Sequence, residues 1–108
     1  MVSDFGKQLI DVDGTLFEAN AIMRWALTEF GEAHQVGKAI EELAELIVEL
    51  ARHGDPADWT DATLEELADV EIMTKQLRMM LSEPERYESI RAAKLERLAR
   101  MLHGRGEV

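Results

Sequence analysis

A chain of 108 residues is long enough for one domain and too short for two ordinary ones, and its 46% of hydrophobic residues allows a buried core. Its formal net charge of -10 leaves no surplus of Lys and Arg with which to grip a nucleic-acid backbone. The sequence contains no cysteine, which excludes disulfides, thiolate metal sites and Cys nucleophiles.

The apolar residues are mainly Leu, Ala, Ile and Met, and aromatic residues make up only 6%, a composition that favours helices over a sheet. Residues 1–8 lack the basic region and long apolar run of a signal peptide. No stretch approaches the ~20 apolar residues of a membrane span. We therefore expect a cytoplasmic protein that has neither a membrane nor a nucleic acid as a partner.

Residues 1–17 are the least regular part and are predicted to form an arm, or a short strand and turn. They contain Asp11-x-Asp13-Gly14-Thr15, which resembles the opening motif of the haloacid-dehalogenase phosphatases, where the first Asp is the nucleophile and the second an acid/base. That family needs alternating strands and helices, whereas here helix follows helix. We interpret the Asp-Gly pair as a turn that leads into a helix, with Thr15 and Glu18 as a capping box.

Residues 18–108 are predicted to form a single helical domain. The first helix, over 18–30, ends at Gly31. Its Trp25 is interpreted as a core residue, with stacking on a bound substrate as the alternative. The second helix spans 32–53 and is followed by a loop over 54–58. Trp59 is predicted to anchor that loop, or alternatively to cover a bound base.

The third helix, over 61–81, is predicted to begin at Thr60 or Asp61. A start at Thr63 is the alternative, because Thr63 and Glu66 have capping-box spacing, which would turn Glu66 back onto its own backbone. The fourth helix, over 83–103, is predicted from a Ser82 cap, a Pro in the first turn and a Glu at the capping-box position.

The second and third helices repeat one pattern of carboxylates. Glu42 and Glu45 are three residues apart, as are Glu66 and Asp69, and residues three apart on a helix are neighbours, with roughly 5–6 Å between Cβ atoms. Each pair lies beside an apolar stripe, so we expect helices packed through those stripes to bring four carboxylates together. Such oxygen donors suit Mg²⁺ or Mn²⁺. The stripe of the second helix is Val36, Ala39, Ile40, Leu43, Leu46, Ile47 and Leu50.

A converged acidic cluster needs compensation. Two like charges about 4 Å apart repel by roughly 4 kcal/mol at an effective dielectric near 20. Either a metal ion neutralises the cluster, or one or more carboxyl groups are protonated. In the remaining alternative the two pairs do not meet, and each belongs to a solvated helix face.

Basic residues on the second and fourth helices are candidates for contact with a phosphate ligand. Lys38 lies one turn before Glu42 and is placed for an i,i+4 ion pair. The fourth helix is the most basic element of the chain. Its basic residues are interpreted as a solvated face with i,i+4 pairs, or alternatively one or two of them face a phosphate. They include Arg91, Lys94, Arg97 and Arg100.

The carboxylate pattern carries a resemblance to a known family. Glu41-Glu42-x-x-Glu45, followed after 20 intervening residues by Glu66-x-x-Asp69, resembles the EExxE…ExxD signature of the MazG-like all-α nucleoside triphosphate pyrophosphohydrolases. The residues that flank both motifs are similar to those of small single-domain phage and bacterial members. The similarity extends over about 25–98 and leaves residues 1–17 outside.

This resemblance implies an all-α, four-helix bundle in which two long antiparallel helices form the acidic site. It implies Mg²⁺-dependent cleavage, with Mn²⁺ as a possible substitute, of a nucleoside triphosphate to the monophosphate and pyrophosphate. It also implies a homodimer or homotetramer with the site near a subunit interface. The corresponding metal ligands are Glu42, Glu45, Glu66 and Asp69; Glu41 and Glu42 are the catalytic candidates; Lys38, Trp25, Lys94 and Arg97 are the candidate substrate-binding residues.

Two other functions fit the same residues. The chain could be a helical protein-interaction module in which the carboxylates only solvate helix faces. It could also be a family member that binds a nucleotide without turnover. The base and sugar of a substrate are not encoded in any motif that we recognise.

Overall fold

The computed structural model of the protein describes residues 5–106 and is mostly helical, as the composition predicts. Four α-helices follow a two-stranded antiparallel hairpin, and short 3₁₀ turns lie at Phe5–Lys7 and Pro56–Asp58. No helix among these residues is long and apolar enough to cross a membrane. The elements are β1 (Leu9–Val12), β2 (Thr15–Glu18), α1 (Ala19–Phe30), α2 (Glu32–Arg52), α3 (Asp61–Met79) and α4 (Pro84–Gly104).

The ends of the helices follow local sequence signals. Gly31 separates α1 from α2 at φ +89°, a conformation that glycine adopts without steric cost. Thr60 is the N-cap of α3, and its backbone N–H donates to Thr63 Oγ1 at 3.2 Å. The earlier of the two possible starts is therefore confirmed. The predicted Ser82 cap is wrong, because Glu83 is the N-cap of α4 and Pro84 its first residue.

The segment before α1 forms a hairpin. Val12 pairs with Thr15 across the two-residue loop Asp13-Gly14, where both residues have positive φ (51° and 86°), as a type I′ turn requires. The Asp11 Oδ1 atom accepts a hydrogen bond from Gly14 N at 2.8 Å. The predicted turn is confirmed, but the predicted capping box is wrong, because Thr15–Glu18 is a strand and Glu18 makes no side-chain cap bond.

The hairpin packs against α1 and is not a free arm. Ala19 N donates to the Gln8 carbonyl at 2.8 Å, and the Phe17 and Trp25 rings lie 6.4 Å apart. The division of the chain at residue 17 into arm and helical domain stays a prediction.

The centre of the fold is the antiparallel pair α2 and α3. Gln35 Nε2 donates to Gln76 Oε1 at 2.8 Å near one end of the pair. At the other end Trp59 Nε1 donates to the His53 carbonyl at 2.8 Å, so Trp59 anchors the connecting loop as predicted. Helix α1 packs against both helices. We call the buried residues along the α2–α3 contact the inner seam: Gln35, Ala39, Glu42, Thr63, Met73 and Gln76.

The inner seam differs from the packing that the sequence predicts. We expected α2 and α3 to meet through their apolar stripes, but Ile40 and Ile47 are 64% and 66% exposed, whereas Glu42 is 6% exposed. Ile40 and Ile47 lie about 160° and about 140° around α2 from Glu42. Two members of the stripe depart from this pattern, because Ala39 is buried in the seam and Leu46 is half-buried. The carboxylates therefore do not converge for the reason that we expected, because the apolar stripe of α2 is not the face that packs against α3.

Helix α4 contributes little to the packed part of a single chain. Only Tyr87 and Leu102 are half-buried, and every other residue of α4 is exposed. Glu88 connects α4 to α3 through Arg78, with 2.9 Å between Oε1 and Nη2. The radius of gyration is 16.9 Å, against about 13 Å for a compact domain of this length. One chain therefore has the four predicted helices but does not pack them into a closed bundle.

Candidate metal centre

Glu42 occupies the middle of the inner seam because of its position on α2. Gln35, Ala39 and Glu42 recur at intervals of four and three, which places them along one line of the helix. The small Ala39 side chain, 2% exposed, fills little space one turn before Glu42. The carboxylate is consequently enclosed between the two helices.

Helix α3 brings two more carboxylates to the same point. Glu66 and Asp69 are three residues apart, and Glu42, Glu66 and Asp69 can each offer one oxygen such that all three atoms lie within 4.8 Å of one another. We call this set the inner triad. Its members come from both helices, so three of the four carboxylates that were predicted to converge are found together, and Glu45 is not part of this group.

A second group of three lies on α2 alone. Glu41, Glu42 and Glu45 can also offer one oxygen each within 4.8 Å of one another, and we call them the outer triad. Glu41 and Glu45 are exposed, whereas Glu42 is buried. Glu42 belongs to both triads, so a single side chain connects an enclosed group of oxygens with an open one.

Lys38 supplies the cation that lies against this cluster. Its Nζ atom is 3.3 Å from Glu42 Oε1 and 3.7 Å from Glu41 Oε1, so the predicted i,i+4 ion pair is present. The hydrogen bond to Glu42 raises the pKa of Lys38 further above its usual range. One ammonium cannot balance the carboxylates of both triads.

Two carboxylate oxygens in the cluster have no hydrogen-bond partner among the described residues. They are Glu42 Oε2 and Glu66 Oε2, and both are buried. A buried polar atom without a partner costs about 1–3 kcal/mol, and more when it is charged. The unmet oxygens point to a proton or a cation as the missing partner.

The pKa values of the three inner-triad carboxyl groups are shifted by burial and by their proximity to one another. Burial raises the pKa of Glu66 to about 7, and the neighbouring carboxylates of Glu45 and Glu42 raise it as well, because a protonated Glu66 can share its proton with them. Burial and the charge of Glu42 likewise raise the pKa of Asp69. For Glu42, burial alone would raise the pKa, but donation from Lys38, and from Asp69 and Glu66 when these are protonated, outweighs it and lowers the pKa. Near neutral pH the cluster therefore holds a proton that a cation can displace.

The other candidate residues lie on α1 and α4, outside the α2–α3 pair that carries the cluster. Trp25 is 60% exposed and contacts the Phe17 ring, so its predicted place in the core is wrong for the isolated chain. Lys94 and Arg97 are exposed on α4, and among residues 5–106 neither has an ion-pair partner. Their assignment to substrate stays a prediction.

Sequence reasoning missed the buried amides that flank the cluster. Gln35 and Gln76 bond to each other across the seam, and His34 Nδ1 lies 2.8 Å from Gln35 Oε1. The signal was available, since Gln35 stands seven residues before Glu42 and thus on the same face of α2. An apolar periodicity search ignores such a polar line.

Comparisons of the chain with protein-family models, with curated proteins and with solved structures found no match.

Proposed function

We propose that this protein is a Mg²⁺-dependent nucleoside triphosphate pyrophosphohydrolase of the MazG-like type, which converts a (d)NTP to the (d)NMP and pyrophosphate. The observation that carries the proposal is the pair of buried, unpartnered oxygens at Glu42 and Glu66. The spacing of the carboxylates along α2 and α3 matches the family signature that the sequence resembles. The proposal extends to Mn²⁺ as a substitute cation.

The donor set fits a hard divalent cation. Carboxylate oxygens are the ligands that Mg²⁺ and Mn²⁺ prefer. We assign Glu42, Glu66 and Asp69 of the inner triad and Glu45 of the outer triad as the residues that hold metal. Glu42 belongs to both triads, so its carboxylate would be available to a cation at either one.

A bound divalent cation would supply charge neutralisation for the phosphates and a lowered pKa of bound water. The reaction breaks the bond that links the α and β phosphates, with addition of water, and releases one monophosphate and one pyrophosphate. The proton lost by the attacking water needs an acceptor within hydrogen-bond reach. Glu41 is suited to accept it, because its side chain is 57% exposed and, among residues 5–106, its ion pairing is limited to the 3.7 Å contact with Lys38.

Lys38 has a second role in this proposal. Its side chain is 45% exposed, which leaves it open to a phosphate that approaches from solvent. The carboxylates of Glu41 and Glu42 hold it at the edge of the cluster. We propose that Lys38 orients the phosphate chain, and that Lys94, Arg97 and Trp25 contact the substrate from elements that become part of the site on assembly.

We further propose that the working form is a homodimer or homotetramer. The apolar stripe of α2 is exposed except at Ala39 and Leu46, and Leu64 and Leu67 of α3 are 51% and 44% exposed. Soluble monomers rarely expose contiguous apolar patches larger than a few hundred Å². A second copy would cover these faces and supply the packing for α1 and α4 that a single chain lacks.

The decisive experiment measures pyrophosphate release from a panel of NTPs and dNTPs with Mg²⁺ and with Mn²⁺. We expect release from a subset of the panel and a loss of more than ~100-fold in Glu45→Gln, since even residues that only support metal ligands cost 10–100-fold. Glu65→Gln is the matched control, because Glu65 is an exposed α3 carboxylate outside both triads.

Each other outcome favours a different function. No release, together with saturable nucleotide binding, would identify a binding protein without turnover. No release and no response to metal would leave a helical interaction module, for which the exposed apolar faces are the supporting observation. Loss of folding in Glu45→Gln would make Glu45 a structural residue.

A further inference from the structure

A cleft of opposite charge lies on another side of α3. It is formed by α1, the last turns of α3 and the start of α4, and it has a volume of about 200 Å³. Lys75 follows Asp69 by six residues, which corresponds to about 9 Å along the helix and about 120° around it. The lining residues include Asn20, Arg24, Lys75, Arg78, Tyr87 and Glu88.

The cationic side chains of this cleft are under-neutralised. Among the described residues, Arg24 and Lys75 have no ion-pair partner, and Lys75 is half-buried. In the described part of the chain, Arg78 alone of the three is paired, through Glu88. The cleft thus holds three cations against one carboxylate, within a chain whose net charge is -10. An excess of positive charge in such a chain marks a place for an anion.

Arg78 is held in a fixed orientation before any ligand arrives. Its guanidinium lies 5.5 Å from the centre of the Tyr87 ring, and that of Arg91 lies 5.8 Å from the same ring. Glu88 accepts hydrogen bonds from both, at 2.9 Å from Arg78 and 2.6 Å from Arg91. A guanidinium carries five N–H donors, so Arg78 keeps donors for another acceptor. Fixing it in advance lowers the entropy lost on binding.

The size and walls of the cleft restrict the ligand. Its volume is several times the ~30 Å³ that one water occupies in the liquid, and below the ~300 Å³ of a drug-sized pocket. Met79, Leu81 and Pro84 add an apolar wall beside the charges. A small anionic group with a short organic body fits this description.

We propose that this cleft binds a phosphate dianion, either free or as the end group of a small phosphomonoester. The geometry favours phosphate because guanidinium forks bond to it in a bidentate manner and the ammonium of Lys75 adds a point charge. The site is separate from the acidic centre, which would repel an anion in the absence of metal. This inference does not depend on the pyrophosphohydrolase activity.

The test is a binding titration of the full chain in EDTA, followed by ³¹P NMR, at about pH 7.5, where a phosphomonoester is mostly dianionic. The probes are inorganic phosphate and glycerol 3-phosphate at constant ionic strength, with chloride as the reference anion. We expect saturable binding that weakens ~10-fold in Arg24→Gln and in Lys75→Gln, in line with a lost hydrogen bond to a charged group. Two separate variants guard against a folding defect in either.

Arg100→Gln is the matched control, because it removes the same charge from the exposed end of α4, where Arg100 pairs with Glu96. Its affinity for phosphate should equal that of the wild type, as should that of Glu66→Gln. Tighter binding of glycerol 3-phosphate than of inorganic phosphate would identify an organic phosphate as the ligand, and equal affinity would identify free phosphate. Binding no stronger than that of chloride, or equal weakening in the Arg100→Gln control, would overturn the proposal.

Discussion

The side chain on which the candidate site depends is Glu42. It is buried, it carries an oxygen that has no hydrogen-bond partner within residues 5–106, and it belongs to both triads. Glu66 faces it with a second unpartnered oxygen. Their proximity means that binding of a proton at one carboxylate and binding of a cation at the cluster compete with each other.

The first prediction concerns pH. Because the pKa of Glu66 is about 7 in the folded protein and 4.5 is the reference value, the folded state retains a proton over this interval that the unfolded state loses. The contribution of Glu66 to stability should therefore fall as pH rises from about 4.5 through 7. In EDTA, melting temperatures measured across this range should fall more steeply for the wild type than for Glu66→Gln. Parallel curves would contradict the assignment.

The second prediction concerns metal. A ligand that binds only the folded state at 100 times its Kd adds about 2.7 kcal/mol to the free energy of unfolding. For a chain of this size that corresponds to a rise on the order of 10 °C in melting temperature. We expect millimolar Mg²⁺ or Mn²⁺ to produce a rise that Glu66→Gln reduces strongly and Glu65→Gln leaves intact. An unchanged melting temperature of the wild type would count against a metal centre.

At the scale of elements, the hairpin and α4 are the parts held by few contacts. The hairpin depends on its tight loop, where Gly14 adopts φ +86°. An added side chain would meet no atom within 4 Å there, so the cost of a substitution is one of backbone conformation alone. Gly54 has the same open surroundings without a positive φ.

These two glycines form a matched pair for the third prediction. Gly14→Ala should lower the free energy of unfolding by about 1–2 kcal/mol, the cost of a left-handed conformation for an L-residue. Gly54→Ala should be neutral or slightly stabilising, because it reduces the conformational entropy of the unfolded chain. Urea denaturation followed by circular dichroism measures both, and equal effects would show that the turn does not hold the hairpin.

The helix boundaries could be predicted from sequence because their signals are local. Gly31 and Thr60 set the ends of α1 and α3 through their own backbone and side chain. The face of α2 that meets α3 could not be predicted in that way. Its strongest pattern, the apolar stripe with Ile40 and Ile47, points outward in a single chain. The spacing of Glu42 and Glu66 indicated the cluster, whereas their burial depends on a packing that apolar periodicity does not describe.

At the scale of the whole molecule, the exposed apolar surface is the dominant feature. Burial of apolar area contributes about 25 cal/mol per Å² to stability. A single chain does not gain this contribution from the exposed part of the α2 stripe. The extended shape, with principal extents of 51 × 37 × 30 Å, presents α4 away from the packed helices. The proposed assembly would account for both features.

The fourth prediction follows from this surface. Sedimentation equilibrium should give a mass of at least twice 12.2 kDa for the wild type at micromolar concentration. Ile47→Asp should shift the protein toward the monomer, because it places a charge where Ile47 is 66% exposed on the stripe. Ala57→Asp, in the exposed loop between α2 and α3, is the control and should leave the mass unchanged. A monomeric wild type would refute the proposed assembly.

The bond between Gln35 and Gln76 has a consequence for how the helices are aligned. Shifting α3 by one turn along α2 would displace the two amides by about 5.4 Å relative to each other. Each amide would then lose its hydrogen-bond partner across the seam, at a cost of about 1–3 kcal/mol for each buried group left without a partner. Wrong alignments are thereby penalised even where apolar packing alone would tolerate them. The amide pair therefore selects one register of α3 along α2. In that register Glu66 and Asp69 meet Glu42.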